Sequence, residues 1–245
     1  MLNEQTVLKL ESMKLFGMAK AFREMLSNSK NPDLSHAELV GLLADSEKTY
    51  RENQRLGRLL HNAKLKQHAC IEDIDYKSHR GLNKQVILEL SGGDWVKRHQ
   101  NILISGATGV GKTYIACALG NCACRLGYSV YYLRAPIFWT SMYQSRADGS
   151  YLRYLSKLSK NQILIVDDLG LSPMADQERK DLFEIVEEAT FKSSMIIASQ
   201  LTTKEWYQNI GDPTIADAIC DRLLNNSYKI ELKGESMRKK KEEKK

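Results

Sequence analysis

The 245-residue sequence predicts an α/β fold, a five-stranded parallel sheet between helices, preceded by a small all-helical domain. Five short apolar runs follow one another from residue 101 onward, and helical stretches separate them. Alternating strands and helices are typical of a parallel sheet that is covered on both faces. The first 66 residues show helical periodicity without a β-rich run, which indicates a separate helical domain.

The helical domain, residues 1–66, is predicted from two periodic segments. In the first segment, apolar residues recur at the spacing of one helix face, at Leu15, Met18, Phe22 and Met25. Pro32 is expected to break this helix. The second segment begins with Ser35 and Glu38, which form an S-x-x-E capping box, a typical start of a helix.

A linker and a lead-in helix, residues 67–100, connect the two domains. The piece from Cys70 to Leu82 loses the helical period, whereas LNKQVILEL predicts a short helix that ends at a Gly-Gly pair. In the second domain, residues 101–236, the predicted strands are NILIS, SVYYL, QILIVDD, SMIIAS and YKIEL. The Lys/Glu-rich end, residues 237–245, is predicted to be a disordered basic tail.

Basic residues are concentrated in two places within a net charge of +6. The segment from Arg51 to Lys66 has five basic residues against one acidic, and the last seventeen residues have eight against four. Such an excess favours nucleic acid as a partner without establishing it. No apolar run approaches the length of a membrane span, and the N-terminus lacks the core of a signal peptide. The five cysteines show no metal spacing, which predicts free thiols in a reducing cytoplasm.

The strongest signal is GATGVGKT, which fits G-x-x-x-x-G-K-[ST] at every position. It follows an apolar strand and opens an apolar helix, the setting that this phosphate-binding loop requires. Its glycines let backbone N–H groups point at phosphate oxygens, and the helix N-terminus adds positive potential. Lys112 is expected to bridge the β- and γ-phosphates of ATP, and the Thr113 hydroxyl to ligate Mg²⁺. The predicted nucleotide-binding residues are Gly106, Ala107, Thr108, Gly109, Val110, Gly111, Lys112, Thr113 and Tyr114.

Two acids end the apolar run ILIV of the third predicted strand. Asp167 is expected to hold Mg²⁺, directly or through water, which would leave Asp168 to orient or polarise the attacking water. A pair of helix-capping acids after a core strand is the alternative. After the next strand, Gln200 is preferred over Ser199 as the polar residue that holds the γ-phosphate or the water. A polar residue that merely ends a strand is the alternative there.

The order of these motifs resembles that of the AAA+ ATPases. Within them the chain is similar to the IstB-like helper proteins of transposition, which belong with the DnaC-like helicase loaders. The likeness is carried by KLFGMAKAFREML, ISGATGVGKTYIACALG, ILIVDDLG and a C-terminal stretch that contains DAICDRL and IELKGESMR. It covers nearly the whole chain, and the C-terminal stretch is the specific part because many enzymes share the phosphate-binding loop.

The resemblance implies roles for two arginines near the C-terminus. Arg222 in CDRL matches an arginine finger, which reaches the γ-phosphate held by an adjacent subunit and contributes about 10³–10⁵ in rate in other NTPases. Arg238 in GESMR matches a sensor that contacts nucleotide phosphates in the same or a neighbouring subunit. Many relatives carry Asn in place of Gln200, which is a departure. A surface salt bridge of Arg222 with Asp217 or Asp221, and a plain basic tail at Arg238, are the alternatives.

Basic helix faces predict contacts with DNA phosphates. Arg51, Arg55 and Arg58 share one face, and Arg153, Lys157 and Lys160 share another. Such faces track phosphate charge without reading bases, although a solvated surface explains each face equally well. The predicted DNA-binding residues are Arg51, Arg55, Arg58, Lys64, Lys66, Arg146, Arg153 and Lys157.

The resemblance implies a bacterial, cytoplasmic AAA+ ATPase that uses ATP and Mg²⁺. It would form a homo-oligomer on duplex DNA without strong sequence preference, with nucleotide at the subunit interfaces. It would then deliver target DNA to a cognate transposase and stimulate insertion. Two alternatives stay open: a helicase loader that binds single-stranded DNA and a replicative helicase, and a phosphate-loop kinase that acts as a soluble monomer.

Overall fold

The computed structural model describes residues 2–27, 34–76 and 80–237. It divides the chain into two compact units, Met1–Arg58 and Leu59–Lys245. The first unit is helical and the second is α/β, so the predicted fold class is confirmed. The finer domain limits at residues 66, 100 and 236 stay predictions.

The first unit packs its helices through a buried carboxylate. The helices are α1 (Leu2–Ser12), α2 (Phe16–Ser27) and most of α3 (His36–Ala63). Glu47 of α3 accepts hydrogen bonds from the amides of Gly17 and Met18 at 2.7 and 3.2 Å, and so satisfies N–H groups at the start of α2. A Cβ at Gly17 would lie 2.5 Å from the Ser46 carbonyl oxygen, so the close approach of α2 and α3 requires glycine.

The predicted capping box at the start of α3 is confirmed. The Ser35 amide donates to the Glu38 carboxylate at 2.8 Å, and the Glu38 amide donates to the Ser35 hydroxyl at 3.3 Å. Pro32, the predicted helix breaker, lies outside the described residues. The predicted linker from Cys70 to Leu82 contains neither helix nor strand among its described residues.

The second unit contains all five predicted strands. Its strands are β1 (Asn101–Gly106), β2 (Val130–Arg134), β3 (Ile163–Leu169), β4 (Ser194–Ser199) and β5 (Ser227–Leu232). Its helices are α4 (Lys84–Ser91), α5 (Asp94–Lys97), α6 (Lys112–Arg125), α7 (Ala135–Ala147), α8 (Tyr151–Ser159), α9 (Asp176–Ala189), α10 (Thr203–Ile210) and α11 (Pro213–Leu224). The strands pair in the order β2-β3-β4-β1-β5, and every pairing is parallel.

The sheet has two edges that carry different side chains. Strands β3, β4 and β1 lie at its centre, and their Ile, Leu and Val residues are buried on both faces, as expected for parallel strands covered by helices. We use the term C-terminal edge for the side of the sheet where the strands end, at Gly106, Leu169 and Ser199. It is not one of the lateral edge strands, which are β2 and β5. The opposite edge, where β1 and β4 begin at Asn101 and Ser194, is the N-terminal edge.

No helix among the described residues is both long enough and apolar enough to cross a bilayer. The five cysteines are free thiols, as the sequence predicts. Burial raises the pKa of the Cys124 thiol to about 11, so this cysteine is unreactive near neutral pH.

Candidate functional site

The loop between β1 and α6 lies at the C-terminal edge and needs its glycines. Gly109 and Gly111 have φ of +85° and +101°, a region that side chains other than glycine rarely adopt. A Cβ at Gly111 would also lie 2.6 Å from the Arg80 guanidinium, and one at Gly109 would collide with Ser236. The sequence motif therefore forms a narrow loop whose shape depends on both glycines.

Lys112 supplies a buried cation at the start of α6. Its side chain is buried, and the ammonium donates to the carbonyl oxygens of Gly106 and Ala107 at 2.7 and 2.8 Å. Burial lowers the pKa of Lys112, while Asp167 and Asp168 oppose that shift. Because the hydrogen-bonded partners are neutral carbonyls, the positive charge can attract a phosphate group.

Asp167 is fully buried and gathers donors around one oxygen. Its Oδ2 accepts hydrogen bonds from the Thr113 hydroxyl at 2.8 Å and from the Tyr132 hydroxyl at 2.7 Å. The Lys66 ammonium lies 3.9 Å from the same oxygen. Burial and the bond to Asp167 raise the pKa of Tyr132, which keeps that hydroxyl protonated. Hydroxyl and carboxylate oxygens are ligands that Mg²⁺ prefers, so Thr113 and Asp167 suit the predicted metal site.

Asp168 follows Asp167 at the C-terminal edge, where β3 becomes irregular. Successive side chains of a regular strand point to opposite faces. Here the pairing of β3 with β4 shifts register between Val166 and Leu169, and Asp168 has a φ of +62°. Its carboxylate accepts a hydrogen bond from Nε of Arg134, the last residue of β2, at 2.8 Å. That bond raises the pKa of Arg134, so the guanidinium stays charged beside Asp168.

The two candidate polar residues at the end of β4, Ser199 and Gln200, lie in different surroundings. The buried Ser199 hydroxyl donates to the Leu169 carbonyl at 2.7 Å and accepts from the Leu201 amide at 3.1 Å, so it shapes the turn. Gln200 is exposed and follows a strand that lies between β1 and β3. Gln200 therefore stays the predicted polar residue of this strand end.

The described C-terminal segment crosses the phosphate-binding loop. The Met237 amide donates to the Gly109 carbonyl at 2.9 Å, and the Lys233 amide donates to the Arg80 carbonyl at 2.9 Å. Arg238 lies outside the described residues, and its role as a sensor stays a prediction. Its neighbour Met237 contacts the loop that would bind phosphate.

Three residues of this site were missed by sequence reasoning. Tyr132 and Arg134 belong to β2. Arg134 could have been found from the sequence, because it is a polar residue that directly follows the predicted strand SVYYL. Arg80 comes from the predicted linker, where no motif indicates a role. Its buried guanidinium donates to the carbonyls of Val110 at 3.1 Å and Asp75 at 3.0 Å, and burial lowers its pKa. Arg80, which lies outside the sequence motif, therefore helps to hold the phosphate-binding loop in place.

Arg222 is not brought to the phosphate-binding loop of its own chain. It lies near the end of α11 at the N-terminal edge, where Asn101 Nδ2 donates to its carbonyl at 3.4 Å. Five residues of β1, at about 3.3 Å each, place Gly106 roughly 17 Å farther along the strand. The guanidinium forms an ion pair with Glu187 at 2.6 Å rather than with Asp217 or Asp221.

The predicted DNA-binding residues occupy different surroundings. Arg146 forms an ion pair with Asp181 at 2.5 Å, and its guanidinium lies 4.1 Å from the centre of the Tyr151 ring. Lys66 is exposed, and its ammonium lies 3.9 Å from Asp167 at the candidate nucleotide site. Arg51 of α3 is paired with Glu47 at 2.7 Å. Because these contacts lie within the chain, they do not test the predicted contacts with DNA, which stay predictions.

Two lysines from distant segments meet at the edge strand β2. The ammonium groups of Lys64 and Lys157 lie 5.8 and 5.4 Å from the centre of the Tyr131 ring. Arg153 is exposed on α8, the helix that carries Lys157, and Arg55 and Arg58 are exposed on α3. The structure therefore joins Lys64 and Lys157 into one basic cluster.

The sequence is similar to insertion-sequence ATP-binding proteins along its whole length. A family model described as IstB-like ATP binding protein matches residues 8–245. The protein y4pL of Sinorhizobium fredii, named as an insertion-sequence ATP-binding protein, is 47% identical over 98% of both chains. A protein of the same kind named for the insertion sequence IS21 of Pseudomonas aeruginosa is 29% identical over 96% of this chain and 89% of its own.

Solved structures of replication proteins share the fold. DnaA from Aquifex aeolicus, bound to AMPPCP, superposes with a TM-score of 0.59 and 21% identity, over 74% of this chain and 55% of DnaA. The DnaC helicase loader superposes with a TM-score of 0.54 and 17% identity, over 71% of this chain and 98% of the loader. The second unit therefore has the AAA+ fold.

Proposed function

The chain belongs to the IstB-like ATP-binding proteins of insertion sequences, and on that premise we propose a DNA-dependent ATPase that serves a transposase. In this proposal it assembles with ATP on duplex DNA in the bacterial cytoplasm. It then delivers the bound DNA to a cognate transposase and stimulates insertion. The separation of Arg222 from its own phosphate-binding loop is the observation that carries the proposal.

The residues at the C-terminal edge suit the binding of ATP with Mg²⁺. The glycine-rich loop offers N–H groups, and the start of α6 adds positive potential beside Lys112. Thr113 and Asp167, whose oxygens lie 2.8 Å apart, would hold the metal. The metal would supply charge neutralisation between the β- and γ-phosphates. Tyr132 would keep the Asp167 carboxylate oriented, because its hydroxyl donates to that group.

Asp168 is the proposed base for hydrolysis. It would accept a proton from water at the C-terminal edge, and Gln200 at the end of β4 would help to hold that water. In the present state Arg134 occupies one oxygen of Asp168. The guanidinium would fix the orientation of the carboxylate, so Arg134 is a positioning residue in this proposal.

Completion of the site requires a second subunit. The Arg222 carbonyl contacts Asn101, and the length of β1, roughly 17 Å, separates Asn101 from the start of the loop at Gly106. In an oligomer the N-terminal edge of one subunit would face the nucleotide of the next. The guanidinium would then stabilise the charge that spreads over the transferred phosphoryl oxygens. Turnover would therefore depend on assembly.

Duplex DNA is the proposed scaffold of this assembly. The cluster of Lys64 and Lys157, with Arg153 on the same helix as Lys157, supports a contact with backbone phosphates. Arg55 and Arg58 on α3 would add phosphate contacts. Binding through phosphates is steeply dependent on salt and weakly dependent on base sequence.

Sedimentation with ATP and DNA tests the proposal and separates it from the alternatives. The full chain should form large species only when ATP and duplex DNA are both present, and added salt should dissolve them. A monomer that is unaffected by DNA would favour the kinase. Assembly on single strands but not on duplexes would favour the helicase loader.

A strand-transfer assay tests the partner. The chain, ATP and target duplex should raise the number of insertions made by the cognate transposase. An equal number of insertions with and without the chain would overturn the proposed partnership, even if assembly on DNA is observed.

A further inference from the structure

The segment that directly follows α3 crosses the lateral edge of the sheet at β2. On one side, the Lys64 ammonium lies 5.8 Å from the centre of the Tyr131 ring. On the other side, the Lys66 ammonium lies 3.9 Å from Asp167 Oδ2, the oxygen to which the Tyr132 hydroxyl donates. Tyr131 and Tyr132 are successive residues of β2, so their side chains point to opposite faces of the sheet. The two ammonium groups therefore reach opposite faces from positions two residues apart.

The crossing segment is held at its centre by α6. A Cβ at Gly120 of α6 would lie 3.1 Å from Leu65 Cδ2, so the leucine packs tightly against the helix. Burial raises the pKa of the Cys117 thiol of α6, and backbone hydrogen bonds with Gln67 and Lys66 oppose that rise. These contacts fix the backbone of the segment on the helix, whereas the Lys66 ammonium takes no part in them.

Lys66 neutralises Asp167 without a hydrogen bond. The Asp167 side chain is 1% exposed, and that of Lys66 is 39% exposed. A buried carboxylate needs a compensating charge, and Lys112, the other nearby cation, is held by the carbonyl oxygens of Gly106 and Ala107. At 3.9 Å the Lys66 ammonium is beyond hydrogen-bond distance, so it contributes attraction without a fixed geometry. Its side chain can therefore leave Asp167 without breaking a hydrogen bond.

Lys66 and the proposed metal compete for one oxygen of Asp167. The Oδ2 atom beside Lys66 also accepts from the Thr113 hydroxyl, and these two oxygens suit Mg²⁺. Two cations beside one oxygen repel each other. Binding of the metal would therefore displace the Lys66 ammonium.

We propose that Lys66 is a charge switch. It neutralises Asp167 until Mg²⁺ arrives with ATP, and it then turns outward to a phosphate of DNA bound at the cluster of Lys64 and Lys157. Two residues of chain span at most about 7 Å, so a released Lys66 side chain reaches a phosphate that Lys64 contacts.

The switch links the two bound partners in both directions, and it rests on the proposed function because it requires DNA. Binding of ATP with Mg²⁺ frees Lys66 for DNA, and DNA draws Lys66 away from Asp167. Thermodynamic linkage requires that each partner tighten the binding of the other by the same factor. The link operates inside one subunit, apart from any contact between subunits.

The first test needs no DNA. Calorimetry on the full-length chain gives the dissociation constant of a non-hydrolysable ATP analogue in EDTA and with Mg²⁺, and the first divided by the second measures the benefit of the metal. Lys66→Met should raise this ratio by about two- to fivefold, the size expected for a partly exposed ion pair, because only metal-free binding loses a cation. Lys66→Arg should behave as the wild type. Lys97→Met, a change at an exposed lysine of α5, is the matched control.

Thermal unfolding tests the ion pair itself. In EDTA and without nucleotide, Lys66→Met should lower the unfolding midpoint by about 1–4 °C. In Asp167→Asn, which lacks the negative charge, the same change at Lys66 should shift nothing. An equal loss in both backgrounds would show that Lys66 acts through packing, which would overturn its role as counter-ion.

Salt dependence tests where Lys66 goes. Fluorescence anisotropy measures binding of a blunt duplex over a series of salt concentrations, with the ATP analogue and Mg²⁺ present. A lysine that contacts one phosphate contributes about one unit to the slope of log affinity against log salt. Lys66→Met should therefore flatten the slope by about one unit, and Lys97→Met should leave it unchanged. Assembly on DNA is common to the proteins compared.

The possible failures are distinct. An unchanged metal ratio in Lys66→Met would overturn the switch, even where DNA binding is observed and the proposed function stands. An unchanged salt slope would overturn it as well, because Lys66 would then have no phosphate partner. If the wild type binds no duplex, the proposed function fails and the switch fails with it.

Discussion

The two edges of the sheet differ in how their charged groups are satisfied. At the C-terminal edge Lys112 and Asp167 are buried, and each makes short hydrogen bonds inside its own chain. At the N-terminal edge Arg222 pairs with Glu187, which is half exposed, beside the exposed ring of Phe191. The groups at the first edge are buried, whereas those at the second are partly exposed, since Arg222 is bonded within its chain to Ala218 and Glu187 but stays 28% exposed.

This difference indicates how one fold divides a reaction between copies. A site that binds ATP within one chain can fill before assembly, because its loop, cation and acids are already in place. In the proposed function, Arg222 at the N-terminal edge would act only after a second subunit binds. With this arrangement hydrolysis would depend on assembly, and substitutions at either edge should break that dependence.

The largest effect is expected at the N-terminal edge. Arg222→Ala should lower DNA-stimulated turnover by about 10³–10⁵-fold, because a finger stabilises charge on the transferred phosphoryl group. ATP affinity of the single chain should stay unchanged, as measured by calorimetry. Arg222→Lys, which keeps the charge but loses the planar fork, should recover only part of the rate.

Mixing tests whether the finger acts between subunits. Arg222→Ala retains a nucleotide site and Lys112→Ala retains a finger, so an equal mixture should regain some activity. Absence of any recovery would indicate action within one subunit or a structural role for Arg222.

At the C-terminal edge, Asp168→Asn should lower turnover by about 10²–10⁴-fold, the usual contribution of a positioned base. Binding of ATP and DNA should persist, since Asp167 and the loop are unchanged. A phosphate-release assay measures the rate, and Asp176→Asn, an exposed acid of α9, serves as the matched control. Normal turnover in Asp168→Asn would assign the base to another residue.

Loss of the buried cation should mainly weaken binding. Lys112→Ala should lower ATP affinity by about 10- to 100-fold, since a hydrogen bond to a charged group contributes about 1.5–3 kcal/mol. Calorimetry on the isolated chain measures this, with the exposed Lys97→Ala as control. Unchanged affinity would mean that the loop does not bind phosphate.

The smallest effect concerns the residue that ties Arg222 to the sheet. Asn101 is buried, accepts from the Met195 amide at 2.9 Å and donates to the Arg222 carbonyl. Asn101→Ala should lower the free energy of unfolding by about 1–3 kcal/mol, because it leaves buried groups without partners. Urea unfolding measures the loss, and the exposed Asn53→Ala should show none. Full stability of Asn101→Ala would show that the hydrogen bonds of Asn101 to Met195 and Arg222 do not stabilise the fold.

The sequence anticipated most of the fold and the centre of the site. All five strands were predicted, because buried parallel strands are apolar runs that stand out from polar loops. The phosphate-binding loop and the acid pair were predicted because each is contiguous in sequence. Arg80 was missed, since nothing local distinguishes a linker arginine that contacts Val110 from one that faces solvent.

Basic patterns alone were less informative. The contacts of Lys66 with Asp167 and of Arg146 with Asp181 were not predicted, and the DNA roles of both residues stay predictions. Helical spacing shows which residues share a face, but it does not show what the face meets. Lys64 and Lys157 were predicted from separate segments, and only the fold brings both to Tyr131.

By itself, the sequence determined the fold class, the phosphate-binding loop and the acids Asp167 and Asp168, because short-range patterns encode strands, tight loops and helix starts. Tertiary structure decided which distant groups meet. It brought Arg134 to Asp168 through neighbouring strands, and it placed Arg222 and Phe191 together at the opposite edge. The physical reason is that parallel pairing aligns strand ends that are far apart in sequence, and no local pattern records which ends become neighbours.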